Sequence, residues 1–162
     1  MNKTSQKNID DLLREAMNSE IEAETFYRKA SEKAQSQAGK NLFKELADFE
    51  HNHFEHVKTI IESRKKGTKI ERPVPHREMP EIKPEVEGEF EPNKDEIVEV
   101  LDLGIKAEQK ARERYQEIAE QLDDPEGKEI FQDLAEDERR HHDLLEAQYY
   151  HMSNKGMIIW GE

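Results

Sequence analysis

The chain has 162 residues, enough for one domain with a buried core. A third of them are hydrophobic and 39% are charged, and the formal net charge of −13 argues against a partner bound through nucleic-acid phosphate, which needs a basic face. Cysteine is absent, so disulfides, thiolate zinc sites, iron–sulfur clusters and a catalytic thiol are excluded.

Residues 1–11 are polar and lack the apolar run of a signal peptide. No stretch of the sequence approaches the ~20 apolar residues of a membrane span. A soluble cytoplasmic protein is therefore expected. The high charge raises the question of disorder, which helical spacing answers for most of the chain. Narrow apolar stripes on long helices need few hydrophobic residues, and the other faces can be Glu, Lys and Arg.

The first helix is expected from about Ile9 to Ala38, with Leu13, Ala16, Glu20, Ala23, Tyr27, Ala30 and Ala34 on one stripe and the Ala38-Gly39 step as its end. The second runs from about Asn41 to Arg64 with Leu42, Leu46, Glu50, His53, Val57 and Ile60 on its stripe. So short a connection makes the two antiparallel. Next comes a linker of different character, residues 67–93, holding Pro73, Pro75, Pro80, Pro84 and Pro92. Prolines at that density favour extended chain over helix. A 27-residue helix is about 40 Å long, and an extended linker of this length reaches roughly 85 Å. The linker can thus run the full length of a bundle, so that the third helix can start at the same end as the first; it is also long enough for a domain swap.

The third helix spans about Lys94 to Leu122 with Ile97, Leu101, Gly104, Glu108, Ala111, Tyr115, Ile118 and Leu122 on a stripe. The fourth, about Pro125 to His151, carries Phe131, Leu134, Glu138, His141 and Leu145, and Asp124-Pro125-Glu126 reads as its cap. The tail, residues 152–162, holds Met157-Ile158-Ile159-Trp160, which needs cover. It is expected to fold back on the bundle, with a subunit interface as the alternative.

The two hairpins repeat one another. Glu20-x-x-Ala23-x-x-x-Tyr27 recurs as Glu108-x-x-Ala111-x-x-x-Tyr115, and Leu46-x-x-x-Glu50-x-x-His53 as Leu134-x-x-x-Glu138-x-x-His141, always 88 positions apart. Positions i and i+3 share a helix face, so each Glu-x-x-His can hold one ion. Leu46 and Val57 frame the first such pair, and Leu134 and Leu145 the second, which places all four residues on buried stripes. Glu20 and Glu108 interrupt their stripes in the same way. Four inward carboxylates are very costly unless paired, hydrogen-bonded or coordinated. A lone Glu and a Glu-x-x-His from each half is the ligand pattern of di-iron and di-manganese carboxylate bundles. Carboxylate with imidazole suits iron, manganese or zinc better than magnesium or calcium.

One Glu-x-x-His in a Glu-rich helical protein is close to chance, and inward Glu residues can find Arg or Lys partners instead. Two such motifs on apolar stripes, each with an inward Glu, favour the metal. His51, His56 and His142 fall off the stripe centres and are expected on the surface or beside the ligands. Tyr27 and Tyr115, on the core stripes, either pack with satisfied hydroxyls or hydrogen-bond a ligand carboxylate.

On these motifs the chain resembles the rubrerythrin branch of the ferritin-like superfamily, over about Ile9 to Tyr150. The resemblance implies an all-α, ferritin-like antiparallel four-helix bundle, with two helical hairpins (9–64 and 94–151) joined by a long Pro-rich crossover, in a single domain. It implies two iron ions, bridged by Glu50 and Glu138, with Glu20 and Glu108 as terminal carboxylates and His53 and His141 giving one nitrogen to each. The implied activity is reduction of hydrogen peroxide or dioxygen to water. Lacking the four-Cys rubredoxin domain, the chain would take electrons from a separate donor such as a rubredoxin-like protein. A homodimer or small homo-oligomer, domain-swapped or not, is the expected assembly. The family's further Glu, three residues after the third-helix ligand, is here Ala111, which leaves a ligand set also compatible with a ferroxidase centre, and a ferritin-like iron-binding or storage role is the alternative.

Overall fold

The computed structural model of the chain describes residues 8–70 and 88–160. Its four helices are α1 (Ile9–Lys33), α2 (Gln37–Lys66), α3 (Lys94–Gln121) and α4 (Pro125–Lys155). Two short strands, β1 (Glu89–Phe90) and β2 (Met157–Ile158), pair antiparallel. The architecture is all-α: α1 packs on α2 and α3 on α4, and the hairpins join through α1 against α3 and α2 against α4.

The internal repeat extends to the helix boundaries. Ser36 caps α2 by accepting a hydrogen bond from the Gly39 amide, and Asp124 caps α4 by accepting one from Gly127, again 88 residues on. The break between α1 and α2 therefore falls at 34–36, not at Ala38-Gly39, which lies in the first turn of α2. A capping serine with a free amide three residues on outranks a glycine as the boundary signal here. Glycine does act as a stop at Gly67 and Gly156, where φ of 68° and 66° ends α2 and α4 in the left-handed region.

The chain leaves α2 at one end of the bundle and re-enters at the other. Ile70 lies against Leu122 and Gly127 at the α3–α4 connection. Glu91 is buried at the α1–α2 connection, where it accepts hydrogen bonds from the amides of Gln35, Ser36 and Asn93 and from the Ser36 hydroxyl. The third helix thus begins beside the end of the first, not beside its start, and runs antiparallel to it. Of the linker prolines, Pro73, Pro75, Pro80 and Pro84 lie outside the described residues.

Burial alone would raise the Glu91 carboxyl, but the hydrogen bonds from Ser36, Gln35 and Asn93 outweigh it and hold its pKa below the usual value. Its contribution to stability is therefore present above the ordinary carboxylate range and lost as pH falls through the lowered pKa. Glu91→Ala strands these donors and should cost about 2 kcal/mol in a urea melt at neutral pH; an unchanged midpoint would show that water replaces the carboxylate without loss.

The tail folds back as expected. Ile158 and Trp160 are buried against the core that contains Leu42 and Leu145, and the Gln148 side chain bonds both the amide and the carbonyl of Ile159. Two apolar cores result. One lies at the tail end, around Tyr27, Phe43, Leu46 and Leu101, and the other at the far end, around Leu13, Ile60, Ile118 and Phe131. Among the described residues no helix is long and apolar enough to cross a membrane.

Candidate metal centre

Between the two cores lies a charged layer. Glu20, Glu50, His53, Glu108, Glu138 and His141 are each no more than 2% exposed. Their placement follows from periodicity: each occupies a core position of its helix, so folding the apolar stripes inward carries the polar residues with them.

Two sets of donor atoms can each hold one ion, Glu20, Glu50, His53 and Glu138 in one, and Glu50, Glu108, Glu138 and His141 in the other. Within each set the donor atoms lie within 4.8 Å of one another, and Glu50 and Glu138 belong to both. His53 Nδ1 stands 2.9 Å from Glu138 Oε1 and 3.1 Å from Glu20 Oε2. His141 Nδ1 stands 3.2 Å from Glu50 Oε1 and 3.5 Å from Glu108 Oε2. The two imidazoles stack nearly parallel, 5.9 Å apart between centroids.

Each of the six residues has one buried atom with no hydrogen-bond partner outside the cluster: Glu20 Oε2, Glu50 Oε1, His53 Nδ1, Glu108 Oε2, Glu138 Oε1 and His141 Nδ1. Buried polar atoms are normally satisfied. These converge on one another instead, oxygen and imidazole nitrogen together, as the donors of iron, manganese or zinc do. The residues fit a pair of such cations.

Electrostatics gives the same account. Burial, then the charges of Glu20 and Glu108, push Glu50 well above the usual carboxylate range; burial, then Glu108 and Glu50, do so for Glu138. Burial works against ionising Glu108 too, but the hydrogen bond from Glu138 and the nearby His141 outweigh it and bring its pKa to about 2. Without cations, protons must reside on the two shared carboxylates.

The tyrosines hydrogen-bond carboxylates of the cluster, each across to the other hairpin. Tyr27 donates to Glu108 Oε1 at 2.6 Å, and Tyr115 bonds Glu20. Burial and the surrounding carboxylates hold both phenols well above their usual pKa, so they remain donors. Gly104 makes room for the first: a Cβ there would lie 3.3 Å from the Tyr27 hydroxyl.

Of the remaining histidines, His51 is exposed and His142 partly so. His56 is fully buried, its Nδ1 paired with the Asn52 carbonyl one turn earlier, and it belongs to neither set. Its position four residues past a polar Asn concealed that burial.

Sequence reading missed Asp137. Its carboxylate lies 3.0 Å from His53 Nε2, the ring nitrogen facing away from the cluster. This fixes the tautomer that leaves Nδ1 free for the cluster. The repeat-equivalent residue is Phe49, whose ring meets the edge of His141 at 5.1 Å. The only signal was adjacency to Glu138, and a search for residues alike in both halves discards a pair as unlike as Asp and Phe. Asp137→Ala should weaken iron binding about 10–100-fold in the His53 set alone. An iron titration with two unchanged affinities would rule out that role.

A cavity of about 510 Å³ opens on the cluster between α1 and α3, reaching Glu20, Glu50, Glu108 and Glu138. Ala111 is in its wall.

The family model for rubrerythrin matches residues 11–149. The chain belongs to the rubrerythrin family. The match covers both hairpins and all six converging residues, and the family implies di-iron binding. Among solved structures the chain is similar to a hypothetical protein from Pyrococcus furiosus, 27% identical, with 94% of each chain covered and a TM-score of 0.74. Comparison with curated proteins gives no match.

Proposed function

We propose that this rubrerythrin-family chain is a non-haem di-iron oxidoreductase that reduces hydrogen peroxide, or dioxygen, to water with electrons from a separate donor. The observation that carries this reading is the pair of donor sets sharing Glu50 and Glu138 in a layer that a cavity connects to the outside. Glu50 and Glu138, common to both donor sets, would serve both ions, Glu20 and His53 would hold one, and Glu108 and His141 the other. When bound, a ferrous pair supplies two electrons, one from each ion, the number that peroxide takes with two protons to give two waters.

The chain's own residues hold that centre. Tyr27 and Tyr115 fix the terminal carboxylates from across the hairpin interface, so neither can swing away without losing a buried hydrogen bond. Asp137 orients His53. The two apolar cores restrict water to the cavity side.

Ala111 favours a second reading, a ferroxidase or iron-storage protein, because it leaves the four-Glu, two-His set without a further carboxylate. Anaerobic loading of two ferrous ions per chain, then stopped-flow mixing with peroxide or dioxygen, separates the two. Near-ultraviolet ferric absorbance rising much faster with peroxide supports the peroxidase; faster rise with dioxygen supports the ferroxidase. No rise with either would mean that the cluster serves another metal. A hollow particle of roughly 24 subunits in solution would support storage, and a dimer or tetramer would sink it.

A further inference from the structure

The cavity above the cluster is far too large for peroxide. A water occupies about 30 Å³ of liquid, so a two-oxygen molecule fills only about a tenth of the space. At about 510 Å³ the chamber is in the range that takes an organic ligand.

Its lining follows the internal repeat. Glu20 with Glu108, Glu50 with Glu138, Ala23 with Ala111 and Ser19 with Ala107 are all equivalent pairs in one wall, so the chamber lies on the pseudo-twofold axis relating the hairpins. The floor is therefore nearly symmetric and the small side chains above it come in pairs. Alanine at 23 and 111 keeps the space open; a longer side chain at either position would project into it.

The symmetry fails higher up. Phe26 is paired with Arg114, and Glu22 with Lys110. One side thus offers an aromatic ring and a carboxylate, the other two cations, while Leu103 adds an apolar surface that is 47% exposed. Among the described residues neither Lys110 nor Arg114 has an ion-pair partner. A ligand here would meet apolar walls along its body, and its anionic end would be drawn to the Arg114 side and repelled by Glu22.

We infer that the chamber binds an organic monocarboxylate with an apolar body, its head group on Arg114 and Lys110 and its apolar end towards the cluster. A head group held by these two cations leaves the apolar end as the part that reaches towards the floor. This inference rests on the dimetal reading of that floor.

The test uses zinc-loaded protein, which is diamagnetic and does not turn over. Octanoate is titrated while the alanine methyl resonances are followed by NMR and affinity is measured by calorimetry. Octanoate should shift Ala23, Ala107 and Ala111. Hexanoate, two methylenes shorter, should bind about 15-fold more weakly at about 0.8 kcal/mol per methylene, and neutral 1-octanol should also bind more weakly. Arg114→Gln should weaken octanoate about fivefold. Ala107→Phe, at an exposed position in the lining, should abolish binding.

No methyl shift at millimolar octanoate, or affinity untouched by both substitutions, would overturn the inference. Binding that needs zinc yet ignores Arg114→Gln would place the carboxylate on the metal and overturn the orientation. Metal content of the same sample keeps the two readings apart. Two zinc ions without octanoate binding defeats the chamber alone, whereas octanoate binding without zinc defeats the dimetal reading alone.

Discussion

Glu138→Ala should lower bound iron from about two ions per chain to well below one, with helicity retained. Glu138 stands in both donor sets, 2.9 Å from His53 Nδ1 and 3.7 Å from His141 Nδ1, so its removal takes a ligand from each ion at once. Glu20→Ala touches one set and should lose about one ion, which provides the comparison. Helicity should survive because alanine is the best helix former and because the change removes one of four mutually repelling buried carboxylates. Iron analysis beside far-ultraviolet circular dichroism checks both halves of the expectation. Unchanged stoichiometry would refute the bridging role, and loss of helicity would show that Glu138 is needed for the fold itself.

The second expected result is a thermal stability whose pH dependence reverses with metal. Burial and neighbouring charge raise Glu50 and Glu138 above the unfolded value of 4.5, so in the metal-free protein each costs stability as pH rises from there towards its folded pKa. His53 acts in the same direction. Burial opposes its charge, but Glu20 and the hydrogen bond to Asp137 raise its pKa well above 6.5, and the stability this gives below 6.5 is lost as pH rises through the folded value. Glu108, at about 2, contributes the opposite slope only below 4.5. Between pH 5 and 8 the chelated protein should therefore become steadily less stable.

Cations take the place of the protons on Glu50, Glu138 and His53, so metal affinity climbs with pH. At a free metal concentration about 1,000 times Kd the stabilisation is about 4 kcal/mol, or on the order of 10 °C in Tm for a chain of this size. Melts in chelator and in saturating zinc should diverge from pH 5 to pH 8. A gap that stays constant or narrows would mean that ions do not replace protons at this cluster.

The convergence of the six residues was legible because each interrupts an apolar stripe at helical spacing, and because the chain states the pattern twice. The architecture was legible for a related reason: apolar stripes of period 3.6 name both the helices and their buried faces. The α1–α2 boundary was not, since Ser36 and Gly39 compete locally and the cap's hydrogen bond decides. Asp137 and His56 escaped because their significance depends on which neighbouring helix faces them, and no spacing within α4 or α2 encodes that.

By itself, then, the sequence determined the helices, the repeat and the donor residues, all consequences of local periodicity and side-chain chemistry. Tertiary structure decided the rest: the direction of α3, the crosswise reach of Tyr27 and Tyr115, the carboxylate behind His53 and the chamber between α1 and α3. These depend on how two hairpins dock, which is set by the packing of residues far apart in the chain.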